Sequence, residues 1–185
     1  MTLAEKLLEL HRRLSSAGIE HAFGGAIALA YWTLEPRGTR DIDVNVFVPA
    51  TRCEPALAAL PPEIPHDADT VEAIRRDGHI RLWWHDTPID LFFDYEPIHE
   101  QAARNRQTVP FEGDQIPVLG PVELAVFKAI FDRTRDWADI EAMAAAGNLD
   151  ADAVRDELEA LTGKEDQRIA RLREALRRAT THTDS

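Results

Sequence analysis

The sequence has little cysteine, little positive charge and no long apolar run, and each shortage excludes a class of protein. Cys53 is the single cysteine among 185 residues, which excludes an internal disulfide framework and a cysteine-rich zinc site. Lysine and arginine number 21 against 33 aspartates and glutamates, a formal net charge of −12. A broad electrostatic attraction to nucleic acid or to an anionic membrane is therefore not expected. No stretch reaches the roughly 20 apolar residues that span a bilayer.

The remaining composition is that of a globular chain. Hydrophobic residues make up 44% and charged residues 29% of a length that can bury a sizeable core. Residues 3–16 place leucines at helical spacing with an acidic first turn, which is typical of an amphipathic helix and not of a signal peptide. We expect a cytoplasmic protein without a membrane segment.

Patterning divides the chain near residue 120. Period-two alternation and β-branched content predict strands at residues 19–23, 41–48, 79–86, 88–95, 107–111 and 115–119. The third and fourth of these flank Thr87 and are expected to form a hairpin. Helical periodicity with terminal glycines and prolines predicts helices at residues 3–16, 26–32, 51–60, 122–133, 135–147, 150–163 and 164–178. The fold class is α/β (α+β): a mixed sheet flanked by helices over residues 1–119, and a helical region over residues 120–180 packed on that core.

The segment "DIDVNVFV" carries the first chemical signal. Side chains alternate along a strand, so Asp41 and Asp43 share one face, about 7 Å apart along the chain. Two carboxylates opposite an apolar face are costly unless a cation lies among them. Magnesium accepts such carboxylates and takes its other ligands from water and phosphate. An isolated D-x-D often marks only a turn, but the alternation that follows favours a metal site.

A third acid fits the same scheme. In "TPIDLFFDY" the alternation places Asp90 opposite Ile89 and Leu91. If this strand lies beside residues 41–48, Asp90 completes a carboxylate triad and holds a second ion near an acceptor hydroxyl. Asp94 has the same parity and is the competing candidate.

Phosphate-binding candidates precede the acids. Gly24 and Gly25 lead into a small helical run, where glycine lets the backbone approach a phosphate and the helix N-terminus directs N–H groups at it. Arg37 and Arg40, on the loop before the acids, are further candidates for contacting the triphosphate, with simple solvation as the alternative.

The order of these motifs resembles a known family. The polar "EPRGTR" precedes the acids and the apolar run follows them, so the acids begin their strand, as in nucleotidyltransferases with a polymerase β-like palm. Together with "VLGPVELAVFKAIFDRTRDWADIEAM", the stretch "GGAIALAYW…EPRGTRDIDV" resembles AbiEii-type nucleotidyltransferases, a group that includes toxins of bacterial toxin–antitoxin pairs. The resemblance covers most of residues 18–146.

This resemblance implies both residue roles and partners. The residues carried over are Gly24 and Gly25 for triphosphate contact, Asp41 and Asp43 for the metal pair, Asp90 for the third acid, and Lys128 with Asp136 or Asp139 for a helical lysine and its following acid. It implies transfer of a nucleoside monophosphate from a nucleoside triphosphate to an acceptor hydroxyl, with two Mg²⁺ ions. A transfer RNA acceptor and an antitoxin protein are the implied partners. A surface salt bridge within its own helix is the alternative for Lys128.

Two other functions remain open from the sequence. The 15 residues between Gly25 and Asp41 are more than is common in the AbiEii-type family and closer to the spacing of aminoglycoside and lincosamide nucleotidyltransferases. Glu96, Glu100 and Glu112 near the strands leave a cationic acceptor open. A non-catalytic nucleotide-binding relative is the second alternative. The segment 164–178 carries six basic and three acidic residues, and it is either an RNA contact or a solvated helix face.

Overall fold

A computed structural model describes residues 1–34, 37–94 and 97–183, with side chains described through residue 181. The chain forms two compact units, and each is described by itself. The first comprises Met1–Ile27 and Gly38–Leu119, and the second comprises Ala28–Arg37 and Gly120–Ser185. Domains of 1–119 and 120–180 stay a prediction. Glu96 lies outside the described residues.

The first unit contains a mixed six-stranded sheet, as the alternation predicts. Its strands are β1 (His21–Phe23), β2 (Ile42–Pro49), β3 (His79–Trp84), β4 (Thr87–Asp94), β5 (Gln107–Phe111) and β6 (Asp114–Val118). Their order across the sheet is β3-β4-β2-β1-β6-β5. The pairs β2/β4 and β1/β6 are parallel, and the other three are antiparallel. The acid-bearing strands β2 and β4 are therefore direct neighbours near the middle of the sheet.

One face of this sheet is the core of the first unit. Six side chains of the two central strands are at most 1% exposed: Ile42, Val44, Val46, Ile89, Leu91 and Phe93. Burial of each such side chain contributes about 1.5–3 kcal/mol. Because the side-chain period of a strand is two, the residues between them must occupy the opposite face. That opposite face carries Asp43, Asp90 and Arg81, and we call it the polar face.

The β3–β4 hairpin turns two residues earlier than the sequence predicts. Thr87 does not form the turn; it pairs with Trp84 at the start of β4, and the turn lies at His85 and Asp86. His85 adopts a left-handed φ of 55°, which makes the two-residue turn possible. Lys6, which is 4% exposed, donates hydrogen bonds to the Trp84 carbonyl at 3.1 Å and the Thr87 hydroxyl at 2.7 Å.

The first unit also contains five α-helices, counted among its described residues and including the start of α2. They are α1 (Leu3–Ser16), the start of α2 (Gly25–Trp32), α3 (Glu54–Ala59), α4 (Ala68–Asp77) and α5 (Pro97–Asn105). Sequence patterning predicts α1, α2 and α3 but not α4 or α5. The helix α4 has local stop and start signals: Asp67 and Thr70 form a capping box, and Gly78 ends the helix with a φ of 71°.

The second unit is helical, as predicted. Besides the rest of α2, it contains α6 (Pro121–Phe131), α7 (Thr134–Ala145), α8 (Ala151–Thr162) and α9 (Gln167–Thr183). Its core includes Ile140, Met143, Val154 and Leu158, none of which is measurably exposed. Within residues 1–34, 37–94 and 97–183, the helices are too short or too polar to cross a lipid bilayer.

Candidate active site

The register of the two central strands brings two of the predicted acids together. Asp43 on β2 pairs directly with Asp90 on β4. Directly opposed residues project on the same face, and neighbouring backbones lie about 4.8 Å apart. Asp94 instead pairs with Pro49 beyond a register shift, about 13 Å along the strand from Asp90. The structure therefore selects Asp90 over Asp94 as the neighbour of Asp43.

Asp41 lies one residue before β2 and two before Asp43. Its carboxylate accepts a hydrogen bond from the Thr39 hydroxyl, whose oxygen also lies 3.3 Å from the Asp41 backbone nitrogen. The Asp41 side chain is 37% exposed, whereas that of Asp90 is 14% exposed. Asp41 is thus held by a local turn at the accessible edge of the acid group.

Gly25 is required by the position of Asp43. A Cβ atom added at Gly25 would lie 1.8 Å from Oδ2 of Asp43, and the backbone there has a left-handed φ of 49°. Gly24 donates its backbone N–H to the Asp43 carbonyl at 2.9 Å. The carboxylate of Asp43 consequently lies against the first residue of α2. The two predicted phosphate-contact glycines thus have a steric role beside a predicted metal ligand.

Arg81 is a site residue that the sequence analysis missed. It pairs with Asp90 across β3 and β4, and its Nε and Nη2 atoms donate to the two Asp90 oxygens at 2.7 and 2.6 Å. Its Nη2 atom is also 3.9 Å from Oδ2 of Asp41. The hydrogen bonds to Asp90 raise the pKa of Arg81 above its ordinary value, so the guanidinium stays charged. One cation therefore contacts two of the three acids.

Aromatic side chains flank these charges on the polar face. Trp83, two residues beyond Arg81, is 51% exposed, while its neighbour Trp84 is 2% exposed in the core. On the other side of Asp90, the ring of Phe92 stacks with that of His79 at a centroid distance of 6.1 Å. Planar surfaces are thus available on both sides of the acids.

Lys128 belongs to a separate buried charge cluster in the second unit. Its Nζ atom lies 2.6 Å from Asp139 and 3.6 Å from Asp136, and all three side chains are at most 8% exposed. Arg37 donates to both oxygens of Asp139 at 3.3 and 2.9 Å, and Arg133 donates to Asp136 at 2.6 and 3.2 Å. The alternative of a surface bridge within its own helix is wrong, because Lys128 is buried and pairs with α7.

The other predicted phosphate contact remains accessible. Arg40 is exposed, and its side chain makes no ion pair with the rest of the described chain. Arg37 differs, since it is occupied by Asp139. Of the two loop arginines, Arg40 is the one whose charge is available to a ligand.

The acid group fits a divalent cation by its chemistry, although its present arrangement is not that of a metal site. No set of three or more His, Cys, Asp or Glu side chains in the part of the chain that the structure describes is grouped closely enough to hold a metal ion. The donor atoms are nonetheless the hard carboxylate oxygens that Mg²⁺ prefers. The guanidinium that joins Asp90 to Asp41 shows that their charges attract a cation.

These features together define a nucleotidyltransferase: a mixed sheet, a double glycine before a helix, and acids paired on adjacent parallel strands. The family model described as nucleotidyl transferase AbiEii toxin, type IV toxin–antitoxin system, matches residues 6–184. The chain belongs to this family. No curated protein matches the sequence.

One of the similar solved structures supports the fold. The antibiotic-resistance factor ANT(2'')-Ia has 13% identity and a TM-score of 0.55 over 98% of this chain and 94% of its own. An antigenic nucleotidyltransferase-like protein from Paracoccidioides brasiliensis has 16% identity and a TM-score of 0.46, with 92% of each chain covered. JHP933 from Helicobacter pylori has 15% identity and a TM-score of 0.46 over 97% of this chain and 90% of its own. At 13% identity, the likeness to ANT(2'')-Ia shows the fold alone.

Proposed function

We propose that this nucleotidyltransferase moves a nucleoside monophosphate from a nucleoside triphosphate to an acceptor hydroxyl, with magnesium bound by the polar-face acids. The observation that carries the proposal is the direct pairing of Asp43 with Asp90 on adjacent parallel strands, with Asp41 two residues earlier. Gly25 supports it by giving the Asp43 carboxylate its place at the start of α2.

The acids divide the work between nucleotide and acceptor. Asp41 and Asp43 would hold the ion on the nucleotide side, and Asp90 would join them in holding a second ion. Bound magnesium would neutralise phosphate charge and lower the cost of deprotonating the acceptor. Asp90 orients the acceptor hydroxyl, whose oxygen bonds to the α-phosphorus while the bond to the leaving pyrophosphate breaks. The hydroxyl proton passes to a carboxylate or to water.

Phosphate recognition uses the glycines and the available cation. The helix α2 begins at Gly25, so its first N–H groups are those of Gly25 and the residues that follow it, and a helix N-terminus favours an anion. Arg40 adds an exposed positive charge next to Asp41 in sequence. The family resemblance adds Lys128, Asp136 and Asp139 to nucleotide binding. That role stays a prediction, because Lys128 is buried and its charge is already paired with both acids.

The proposed acceptor is the 3′ end of a transfer RNA. The resemblance to toxin nucleotidyltransferases implies this target, and the net charge of −12 favours a small RNA footprint, because a long phosphate contact needs many cations. An antitoxin protein would then be a natural partner. Triphosphates and transfer RNA would place the activity in the cytoplasm.

The antibiotic alternative has less support from the site. Glu100 lies on α5 and pairs with Arg104 at 3.8 Å. Glu112 lies in the β5–β6 turn, whereas Val118 at the opposite end of β6 is the residue that pairs with Phe23. Glu112 is therefore remote along β6 from Gly24 and Gly25. The fold shared with ANT(2'')-Ia keeps an antibiotic acceptor as the second candidate.

A labelling experiment separates these acceptors. The protein is incubated with Mg²⁺, each α-labelled triphosphate, and either total RNA or a panel of aminoglycosides. We expect label in transfer RNA with the wild type and none with Asp43→Asn. Asp94→Asn is the matched control, because it removes an acid of the same face further along β4. Label in aminoglycosides would assign the antibiotic function, and no label in any acceptor would refute transfer.

A further inference from the structure

The contacts of Arg81 place a resident cation where the proposed reaction needs divalent ions. Arg81 occupies both oxygens of Asp90 and approaches Asp41. Asp43 lies on the same face, directly opposite Asp90 on the neighbouring strand β2. Adjacent like charges repel, and a planar guanidinium neutralises a carboxylate with two parallel hydrogen bonds. Arg81 thus stabilises an acid group that would otherwise be under electrostatic repulsion.

The same hydrogen bonds compete with a metal ligand role. A bidentate guanidinium takes the oxygen atoms of Asp90 that would face a shared cation. Asp90 cannot keep both hydrogen bonds and also give both oxygens to a divalent ion and an acceptor. Like charges also oppose the approach of a metal ion to a site that already contains a guanidinium.

Arg81 is placed so that its side chain can move away from Asp90. It lies on β3, the edge strand of the sheet, and its side chain is 53% exposed while that of Asp90 is 14% exposed. The pair can open by moving the arginine into water without moving the acid. The buried Lys128–Asp139 pair, with side chains 6% and 8% exposed, lacks this freedom.

We propose that Arg81 is an internal counter-cation that holds Asp90 and Asp41 in place before loading and is displaced when a metal–nucleotide complex binds. It is a positioning residue that sets the affinity of the acids for divalent ions. This inference rests on the proposed function, because it assumes that these acids bind metal.

Substitution of Arg81 should therefore have opposite effects on the unloaded and loaded protein. In Arg81→Gln the acids lose their neutralising partner, so the melting temperature without divalent ions falls. The competition also disappears, so Mn²⁺ should bind roughly three- to tenfold more tightly, as expected for loss of a partly exposed charge-assisted pair. Added Mn²⁺ should raise the melting temperature more in the variant than in the wild type.

The experiment measures Mn²⁺ affinity by calorimetry and melting temperature with and without Mn²⁺, using the full chain without nucleotide. Arg76→Gln is the matched control, because Arg76 makes a similar two-point pair with Asp77 at 2.9 and 2.6 Å on α4. The control should leave Mn²⁺ affinity unchanged. Arg81→Lys, which keeps the charge but not the two-point pair, should fall between Arg81→Gln and the wild type.

The outcomes distinguish this inference from the proposed function. Equal or weaker Mn²⁺ binding by Arg81→Gln would overturn the inference, as would an equal loss of melting temperature with and without Mn²⁺. Tighter Mn²⁺ binding by the variant would support it even if the wild type transferred no nucleotide. Nucleotide transfer together with unchanged Mn²⁺ affinity in Arg81→Gln would support the proposed function and refute the counter-cation.

Discussion

Gly25→Ala tests the site with the addition of one methyl group. The new Cβ would lie 1.8 Å from Oδ2 and 2.6 Å from Cγ of Asp43, so the carboxylate must move by more than 1 Å to reach ordinary contact. The φ of 49° adds about 1–2 kcal/mol for a residue with a side chain. For a chain of this size, that cost lowers the melting temperature by about 2–8 °C. Misplacement of a reacting group by 1 Å can cost about 100-fold in rate.

The assay compares Gly25→Ala with Gly38→Ala. A Cβ atom at Gly38 meets nothing within 4 Å among the described residues, so this control adds a methyl group without a clash. Calorimetry gives the melting temperature, and label transfer gives the rate. We expect a roughly 100-fold slower transfer for Gly25→Ala and near-normal transfer for Gly38→Ala. Equal rates and equal melting temperatures for the two variants would refute the placement of Asp43 against Gly25.

Three further predictions test other parts of the molecule. His21 donates from Nδ1 to the Ile19 carbonyl and so accepts from His11 at Nε2; burial lowers its pKa from 6.5 to about 4. As the pH falls, His21 takes up a proton in the unfolded state before it does so in the folded state. About 3 kcal/mol of unfolding free energy, which is fully present above pH 6.5, is therefore lost as the pH falls towards 4. Urea unfolding between pH 7 and 4.5 should show this slope, flattened in His21→Gln; equal slopes would contradict it. Lys128→Met removes the buried cation that Asp136 and Asp139 share and leaves them only their arginine partners, so it should cost about 3 kcal/mol in urea unfolding; a cost below about 1 kcal/mol would contradict the network. Trp83→Ala should leave stability within about 0.5 kcal/mol but raise the acceptor KM at least tenfold if the ring stacks on a base, whereas an unchanged KM would deny that contact.

The sheet could be predicted because its alternation is a local property of the chain. Ile42, Val44 and Val46 alternate with polar residues, and the structure buries the apolar set. The pairs Trp83–Trp84 and Phe92–Phe93 likewise place one ring in the core each time. Face assignment needs only neighbouring residues, so one sequence contains the information.

Arg81 could not be found in this way because its partner depends on a turn. A turn centred on Thr87 would set Arg81 opposite Phe93 and Trp84 opposite Asp90. The observed turn at His85 and Asp86 shifts the register and sets Arg81 opposite Asp90. The register decides which side chains meet, and it depends on the length and type of the turn as well as on the strands.

The family resemblance names Lys128 with Asp136 or Asp139, but local spacing alone gives the wrong partners for this lysine. Its helix supplies acids at suitable spacing, and local reasoning therefore pairs it within α6. Its actual partners come from α7, eight and eleven residues later, and their meeting depends on how two helices pack. Long-range packing of this kind leaves no periodic signal in the sequence.

The charge of α9 bears on the choice of acceptor. Four of its arginines are already paired: Arg168 with Asp166, Arg171 with Asp132, and Arg177 and Arg178 with Glu174. A cation that is paired within the protein must break that contact before it can neutralise a phosphate. The basic last helix therefore offers RNA less positive charge than its composition indicates, although its exposed pairs cost little to break. Recognition of a transfer RNA would have to depend on its terminal nucleotides, at the polar face, where a single reacting hydroxyl needs few phosphate contacts.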